Sequence, residues 1–241
     1  MNGAAVTFGI ESANIVGYQQ TGIREAYSLK VASFDQVGVD GLSIQCLIPI
    51  AEEGLAIGGG VFDLQTLDDV GAMSEQFYYM TKADDGVPQD GWYNDDGETL
   101  ATKVFKRGEG FMYNNSIGAA ASLQISGQVN KSEVLVEACE SYSLIGNIRP
   151  CKISIQDMLP VAEEGLAIGG GVFDLQTLDD VGAMEQQFYY MTKADDGMPK
   201  DGWYNDDGET FATKEFEPAE GFMFNNSTGA KAGLKFMALS L

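Results

Sequence analysis

The chain has 241 residues, with 14 Lys+Arg against 36 Asp+Glu, a formal charge of −22 and no histidine. Without histidine there is no Ser-His-Asp or Cys-His nucleophile, no His-ligated zinc and no HExxH helix. The acidic excess excludes a nucleic-acid phosphate surface and an anionic membrane as partners, because like charges repel, while 44% hydrophobic and 21% charged residues describe a globular chain.

The N-terminal MNGAAVTFGIES has no basic n-region, since the first cation is Arg24, and no stretch of the chain approaches 18 apolar residues. No signal peptide and no membrane insertion are expected, with synthesis in the cytoplasm. Within residues 3–11, Val6, Phe8 and Ile10 alternate on one face of a strand, and Tyr27-Leu29-Val31 alternates likewise. Residues 51–116 then match 162–227 at a shift of 111 without a gap, with 56 of 66 positions identical. AEEGLAIGGGVFDLQTLDDVGAM, FYYMTKADDG and DGWYNDDGET each occur twice. The front of the unit has diverged: AYSLKVASF (26–34) answers SYSLIGNIR (141–149) at a shift of 115. GAAVTFGI (3–10) answers GAAASLQI (118–125) at that same shift, and a third version, GAKAGLKF, stands at 229–236.

The local patterns are β, with period-two alternation and turn signals every 8–12 residues. GGG at 58–60 and 169–171 leads into VFDLQ, LQTLDDVGAM is compatible with one helical turn, and FYYM, apolar on both faces, is either central to a covered sheet or part of an interface. NDDG at 94–97 and 205–208 suits a tight hairpin turn, because Asn, Asp and Gly tolerate positive φ. The fold class expected is all-β: two tandem antiparallel β-sandwich domains, jelly-roll or Ig-like, from an internal duplication. The first spans 1–127, with the N-terminal strand 3–11, and the second 128–241. Two units need two closing strands, 119–126 and 230–237, so the strand of Val6, Phe8 and Ile10 is spare. It either pairs within the chain or adds to a neighbouring molecule as an assembly strand.

Three residue groups are candidate sites. Trp92-Tyr93 and Trp203-Tyr204 could stack on a sugar, or cap the sandwich core as ordinary interior aromatics. Asp84, Asp85, Asp90, Asp95 and Asp96, repeated as Asp195, Asp196, Asp201, Asp206 and Asp207, offer many hard oxygens to calcium. Their spacing does not match the EF-hand loop, and acids in turns have an ordinary role on a solvated rim. No cofactor is expected, with calcium as the one alternative. Adjacent acids on a strand point to opposite faces and cannot form a glycosidase pair alone. GGG is no phosphate cradle, because no Lys-Ser/Thr follows it. Asn114, Asn130 and Asn225 open N-x-S triplets, relevant only in a eukaryotic secretory pathway. Cys46, Cys139 and Cys151 show no CxxC spacing and read as buried reduced thiols, with a Cys139–Cys151 bridge as the alternative. Residues 51–103 hold 12 acids against Lys82 and Lys103, whereas 1–50 hold four acids against two cations. That contrast suggests a charged outward segment beside a less charged part held against something.

SYSLIGNI (141–148), followed by AEGFMFNNS (219–227), resembles a grammar of bacterial and phage-type tandem β-sandwich repeats: an early Gly-aromatic-Asn-Leu-Ile-Gly-Asn-Pro, a Trp hairpin, and a late Pro-Gly-x-Gly-Phe-Trp. The first copy has AYSLKVAS and GEGFMYNNS there; Pro is missing after Asn147, and the first copy lacks Gly-Asn. The resemblance implies a structural β-module of surface, secreted or virion proteins and assigns no catalytic residue. The reading is a non-enzymatic structural or assembly protein, a virion decoration, fibre or surface-layer component located on a virion or cell surface. Its partners are itself or a coat or surface protein lattice. The alternative is a carbohydrate-binding or adhesive module.

Overall fold

The computed structural model describes residues 6–8, 28–32, 41–51, 53–68, 70–106, 108–117, 121–127, 132–138, 140–149, 151–179, 183–218 and 220–238. Ile10, Asn130 and Cys139 lie outside them. The fold is all-β with several antiparallel sheets. The first half contributes β1 (Val6–Phe8), β2 (Ser28–Ala32), β3 (Leu42–Ser43), β4 (Ile48–Ala51), β5 (Phe62–Leu67), β6 (Met73–Met80), β7 (Gly91–Asn94), β8 (Val104–Phe105), β9 (Phe111–Asn115) and β10 (Ala121–Gly127). The second half contributes β11 (Val134–Ala138), β12 (Tyr142–Gly146), β13 (Ile153–Ser154), β14 (Met158–Ala162), β15 (Phe173–Leu178), β16 (Met184–Met191), β17 (Gly202–Asn205), β18 (Glu215–Phe216), β19 (Gly221–Asn226) and β20 (Ala232–Phe236). Two four-residue helices, α1 (Lys82–Asp85) and α2 (Lys193–Asp196), follow β6 and β16.

Each half builds the same three sheets. The five-stranded sheet runs β2-β9-β5-β6-β7 in the first and β12-β19-β15-β16-β17 in the second. The three-stranded sheets run β1-β10-β4 and β11-β20-β14, and β3-β8 and β13-β18 form two-stranded ribbons. Among the described residues no ladder joins the halves. They meet instead through the turn before β9: Gly110 N donates to Leu144 O at 2.8 Å, and Glu109 bridges Ile145.

Alternation places the core. In β6, Phe77 and Tyr79 are buried while Gln76, Tyr78 and Met80 are half-exposed on the other face. Phe77 and Tyr79 join Phe62, Leu64, Trp92, Phe111, Tyr113 and Ala121 in one cluster. The second half repeats it with Phe173, Leu175, Phe188, Tyr190, Trp203, Phe222, Phe224 and Leu234. Each large side chain buried there contributes about 1.5–3 kcal/mol. FYYM is central, as its two apolar faces require, since β6 lies between β5 and β7.

The outer edge of β7 is closed by the returning chain, with Ala101 N donating to Trp92 O and Asn94 N to Thr99 O at 2.9 Å, and by a side chain wedged beside it. Gln45, in a 3-10 turn at Ile44–Cys46, accepts from Trp92 N at 3.0 Å and donates to Trp92 O and Ala101 O at 2.8 Å. Gln156 does the same for Trp203 and Ala212. One carboxamide thus satisfies backbone groups that a further strand would otherwise take.

Several expectations need correction. In the first half the described residues of LQTLDDVGAM are strand, turn and bend rather than helix, with Asp68 N donating to Ala72 O at 2.8 Å and Gly71 N to Asp68 O at 3.1 Å. The helical turn comes instead at KADD, where Thr81 caps α1 by accepting from Asp84 N. Cys46 is exposed rather than buried, and both it and the half-exposed Cys151 are free thiols. The sequence match aligns Tyr27 with Tyr142, but the ladders pair Leu29 with Asn114 and Tyr142 with Asn225, a two-residue offset that preserves which face is which. The strand of Val6 and Phe8 resembles β10 and β20 in sequence, yet it takes a different place. β1 pairs antiparallel with β10, Phe8 opposite Ile125, which is the place β11 takes beside β20. A short alternating strand fits either position, because the ladder reads backbone and period rather than identity.

Candidate functional site

The duplicated loop acids are clamps on backbone N–H groups. Asp84 accepts from Thr81 Oγ1 at 2.8 Å and Gly58 N at 3.2 Å. Asp85 accepts from Thr81 N at 2.7 Å and Gly59 N at 2.8 Å. Together they tie the GGG loop to α1, and a Cβ on Gly58 would come within 2.5 Å of Asp85 Oδ2. Asp90 accepts from Lys82 N at 2.7 Å, and Asp96 closes the hairpin turn through Glu98 N and Thr99 N at 2.8 Å. These last two bonds, with one from the Thr99 side chain, hold the Asp96 carboxyl below its usual range. Asp195, Asp196, Asp201 and Asp207 repeat the set on Thr192, Gly169, Gly170, Lys193, Glu209 and Thr210. Asp95 and Asp206 stand exposed in the turn. Among the described residues, no three His, Cys, Asp or Glu converge in a metal-ligand group.

The aromatic pairs lie inside. Trp92 and Trp203 are 0% exposed, and Tyr93 and Tyr204 are 2% exposed. Trp92 Nε1 donates to Leu47 O at 2.6 Å, and its ring meets Tyr79 edge to face at 5.4 Å; Trp203 meets Met158 O and Tyr190 likewise. Tyr93 and Tyr204 donate to Gln89 O and Lys200 O. With neither ring face open, these four residues take the core-packing role of the two expected alternatives, and sugar stacking on them has no exposed ring. Asn114, 5% exposed, spends its amide on Asp63 rather than facing solvent as a glycan acceptor.

The sheet face opposite the core holds the residues that sequence reasoning missed. Asp63 on β5 lies directly across from Asn114 on β9 and Tyr78 on β6, and Gln65 lies across from Gln76. Residues paired this way share a face, so the five side chains converge. Asp63 Oδ1 accepts from Gln65 Nε2 at 2.9 Å and Gln76 Nε2 at 3.4 Å, and Oδ2 accepts from Asn114 Nδ2 at 2.6 Å. Asp174 gathers Gln176, Gln187 and Asn225 at 2.8, 3.1 and 2.7 Å. Asp63 and Asp174 are 6% and 5% exposed, and among the described residues neither has a cationic partner. An ionised carboxylate turns each amide nitrogen toward itself. Asn114 Oδ1, left on the far side, is buried without a hydrogen bond. Tyr78 stands beside this group, with Gly60 laid against its ring so that a Cβ would come within 3.4 Å. Burial, then the Asp63 and Asp95 carboxylates, raise the Tyr78 phenol above its usual value. The signal available in the sequence was a single charged residue, Asp63, inside the strand VFDLQ, where Asp is depleted.

A cleft of about 370 Å³ lies where the halves meet, lined in part by Thr66, Lys103, Glu109, Glu137 and Tyr142. Lys103 is already paired with Glu75 at 2.9 Å and Glu109 at 3.0 Å. No helix of the described residues is long and apolar enough to cross a membrane. No family model, curated protein or solved structure matches the chain.

Proposed function

We propose that this is a non-enzymatic structural or assembly protein of two tandem antiparallel β-sandwich domains, 1–127 and 128–241, serving as a decoration, fibre or surface-layer component of a virion or cell surface. The observation that carries the reading is where the duplicated acids are used. In both copies Asp84/Asp195 and Asp85/Asp196 hold a glycine loop against a capped helical turn through the same bonds. Such clamps make a rigid body, which suits a part that must keep its shape within an array. The carbohydrate-binding alternative loses its platform with the burial of Trp92 and Trp203.

The test is recovery of the native protein from its source by gentle fractionation. The expected result is that it travels with a particle or filament and that a glycan array stays blank. Recovery as a lone species together with specific glycan binding would overturn the reading.

A further inference from the structure

The sheet face around Asp63, and its copy around Asp174, has the chemistry of a cation site from which the cation is supplied by another molecule. A carboxylate that is about nineteen-twentieths buried is costly to hold ionised unless charge and hydrogen bonds compensate it. Here three neutral amides supply hydrogen bonds, and no cation among the described residues supplies charge. Each amide that gives its N–H to Asp63 presents its oxygen elsewhere, and among the described residues the buried Asn114 Oδ1 has no hydrogen bond. Amides polarised by the carboxylate make stronger acceptors, so the negative charge is felt at Gln65 and Gln76, which are half-exposed. Tyr78, also half-exposed, adds a ring beside them.

That set selects among ligands. A metal ion would meet Asp63 oxygens already occupied by N–H donors. An anion would meet a carboxylate on a chain of charge −22. An alkylammonium carries three donors, no acceptor and one positive charge; it complements half-exposed carboxamide oxygens and an aromatic ring, and it meets the Asp63 charge through the polarised amides without displacing their N–H groups.

We propose that each of these two faces, Asp63-Gln65-Gln76-Asn114-Tyr78 and Asp174-Gln176-Gln187-Asn225-Tyr189, receives a lysine side chain of a partner protein. The identification of the partner as a protein rests on the assembly reading above; the ammonium chemistry rests on the site alone. Two equivalent sites on one chain suit a partner with repeated lysines, because linking raises effective concentration.

The test is calorimetric titration of the full chain, at low salt, with an N-acetylated, C-amidated tetralysine peptide. Binding is expected, with ε-acetylated tetralysine inert and spermidine weaker. Asp63→Asn with Asp174→Asn should weaken binding by at least about tenfold, while Glu98→Gln with Glu209→Gln, which removes the same charge from exposed turns, should change it by less than about twofold. Gln76→Leu with Gln187→Leu should also weaken binding while leaving the melting temperature near that of the parent, so the proposal stays testable if the Asp variants do not fold. Equal losses in the Glu pair would reduce the effect to general attraction by an acidic protein and overturn the site. Spermidine binding as tightly as the peptide would overturn the protein partner but not the ammonium chemistry, and neither result bears on co-fractionation with a particle.

Discussion

The turns that precede β9 and β19 occupy the same place in the two halves and have been written differently. The first reads Lys106-Arg107-Gly108-Glu109-Gly110, and the second Glu217-Pro218-Ala219-Glu220-Gly221. The first turn lies against the other half: Gly110 N bonds Leu144 O, and a Cβ on Gly108 would stand 2.4 Å from Val136 Cγ2. Gly108 also has φ +74°, where a side chain is strained. The second half carries alanine at the matching position and closes its own corner instead. Asn147, 1% exposed, donates to Cys151 O, Phe216 O and Glu217 O and accepts from Arg149 N. The Arg149 guanidinium reaches Ser132 O and Met237 O. By the register of the ladders, the first copy has Phe34 and Gln36 in sequence where the second has Asn147 and Arg149. The difference teaches that the duplicated body tolerates little change, and that divergence gathers where each copy meets a different neighbour.

The largest expected effect asks whether the halves are energetically separate. Trp92→Ala removes a fully buried ring and leaves Leu47 O without its donor, so it should cost the first half about 3–5 kcal/mol. Trp203→Ala should do the same to the second. Denaturant unfolding followed by hydrogen exchange should show protection lost in one half only; loss in both would mean a single cooperative unit.

The junction comes next. Gly108→Ala should destabilise docking of the halves by about 1–3 kcal/mol, through clash and a strained φ. Ala219→Gly, its counterpart, should be nearly neutral by the same thermal melt. If Gly108→Ala is also neutral, the turn does not need the contact that Val136 offers.

The smallest effect sharpens a paired difference. Gln89 and Leu100 in the first half are Lys200 and Phe211 in the second, where Lys200 Nζ lies 3.2 Å from the Phe211 ring centroid. Lys200→Gln should cost about 0.5–1 kcal/mol in the parent, and less when Phe211→Leu is already present. Equal costs in both backgrounds would remove the cation–π account.

Much of the fold was legible because its signals are local. The period-two pattern of FYYM, the Asn-Asp-Asp-Gly turn and the 111-residue shift all lie within short windows or exact recurrence. What was not legible depends on distance along the chain. Gln45 finds Trp92 at 47 residues' separation, and nothing near Gln45 marks it as a cap. β1 was assigned by its likeness to β10, whereas its place is decided by which edge was left open. For the site, the paired acids of the loops stand out in sequence because they recur side by side. The single Asp63 became visible only when three strands brought Gln76 and Asn114 to it.

The glutamine caps have a consequence for growth. A sheet that ends in bare backbone invites a copy of itself, and two nearly identical halves in one chain raise the local supply of such copies. The returning chain lies along β7 and β17, with Ala101 N on Trp92 O and Ala212 N on Trp203 O, and Gln45 and Gln156 fill the backbone groups that this pairing leaves, so a swapped or borrowed strand finds little to bond there. Any lattice built from this protein must therefore spread by its faces or from its opposite margins. Losing one of these glutamines would be expected to show first as insoluble material during production, well before it showed as a lower melting point.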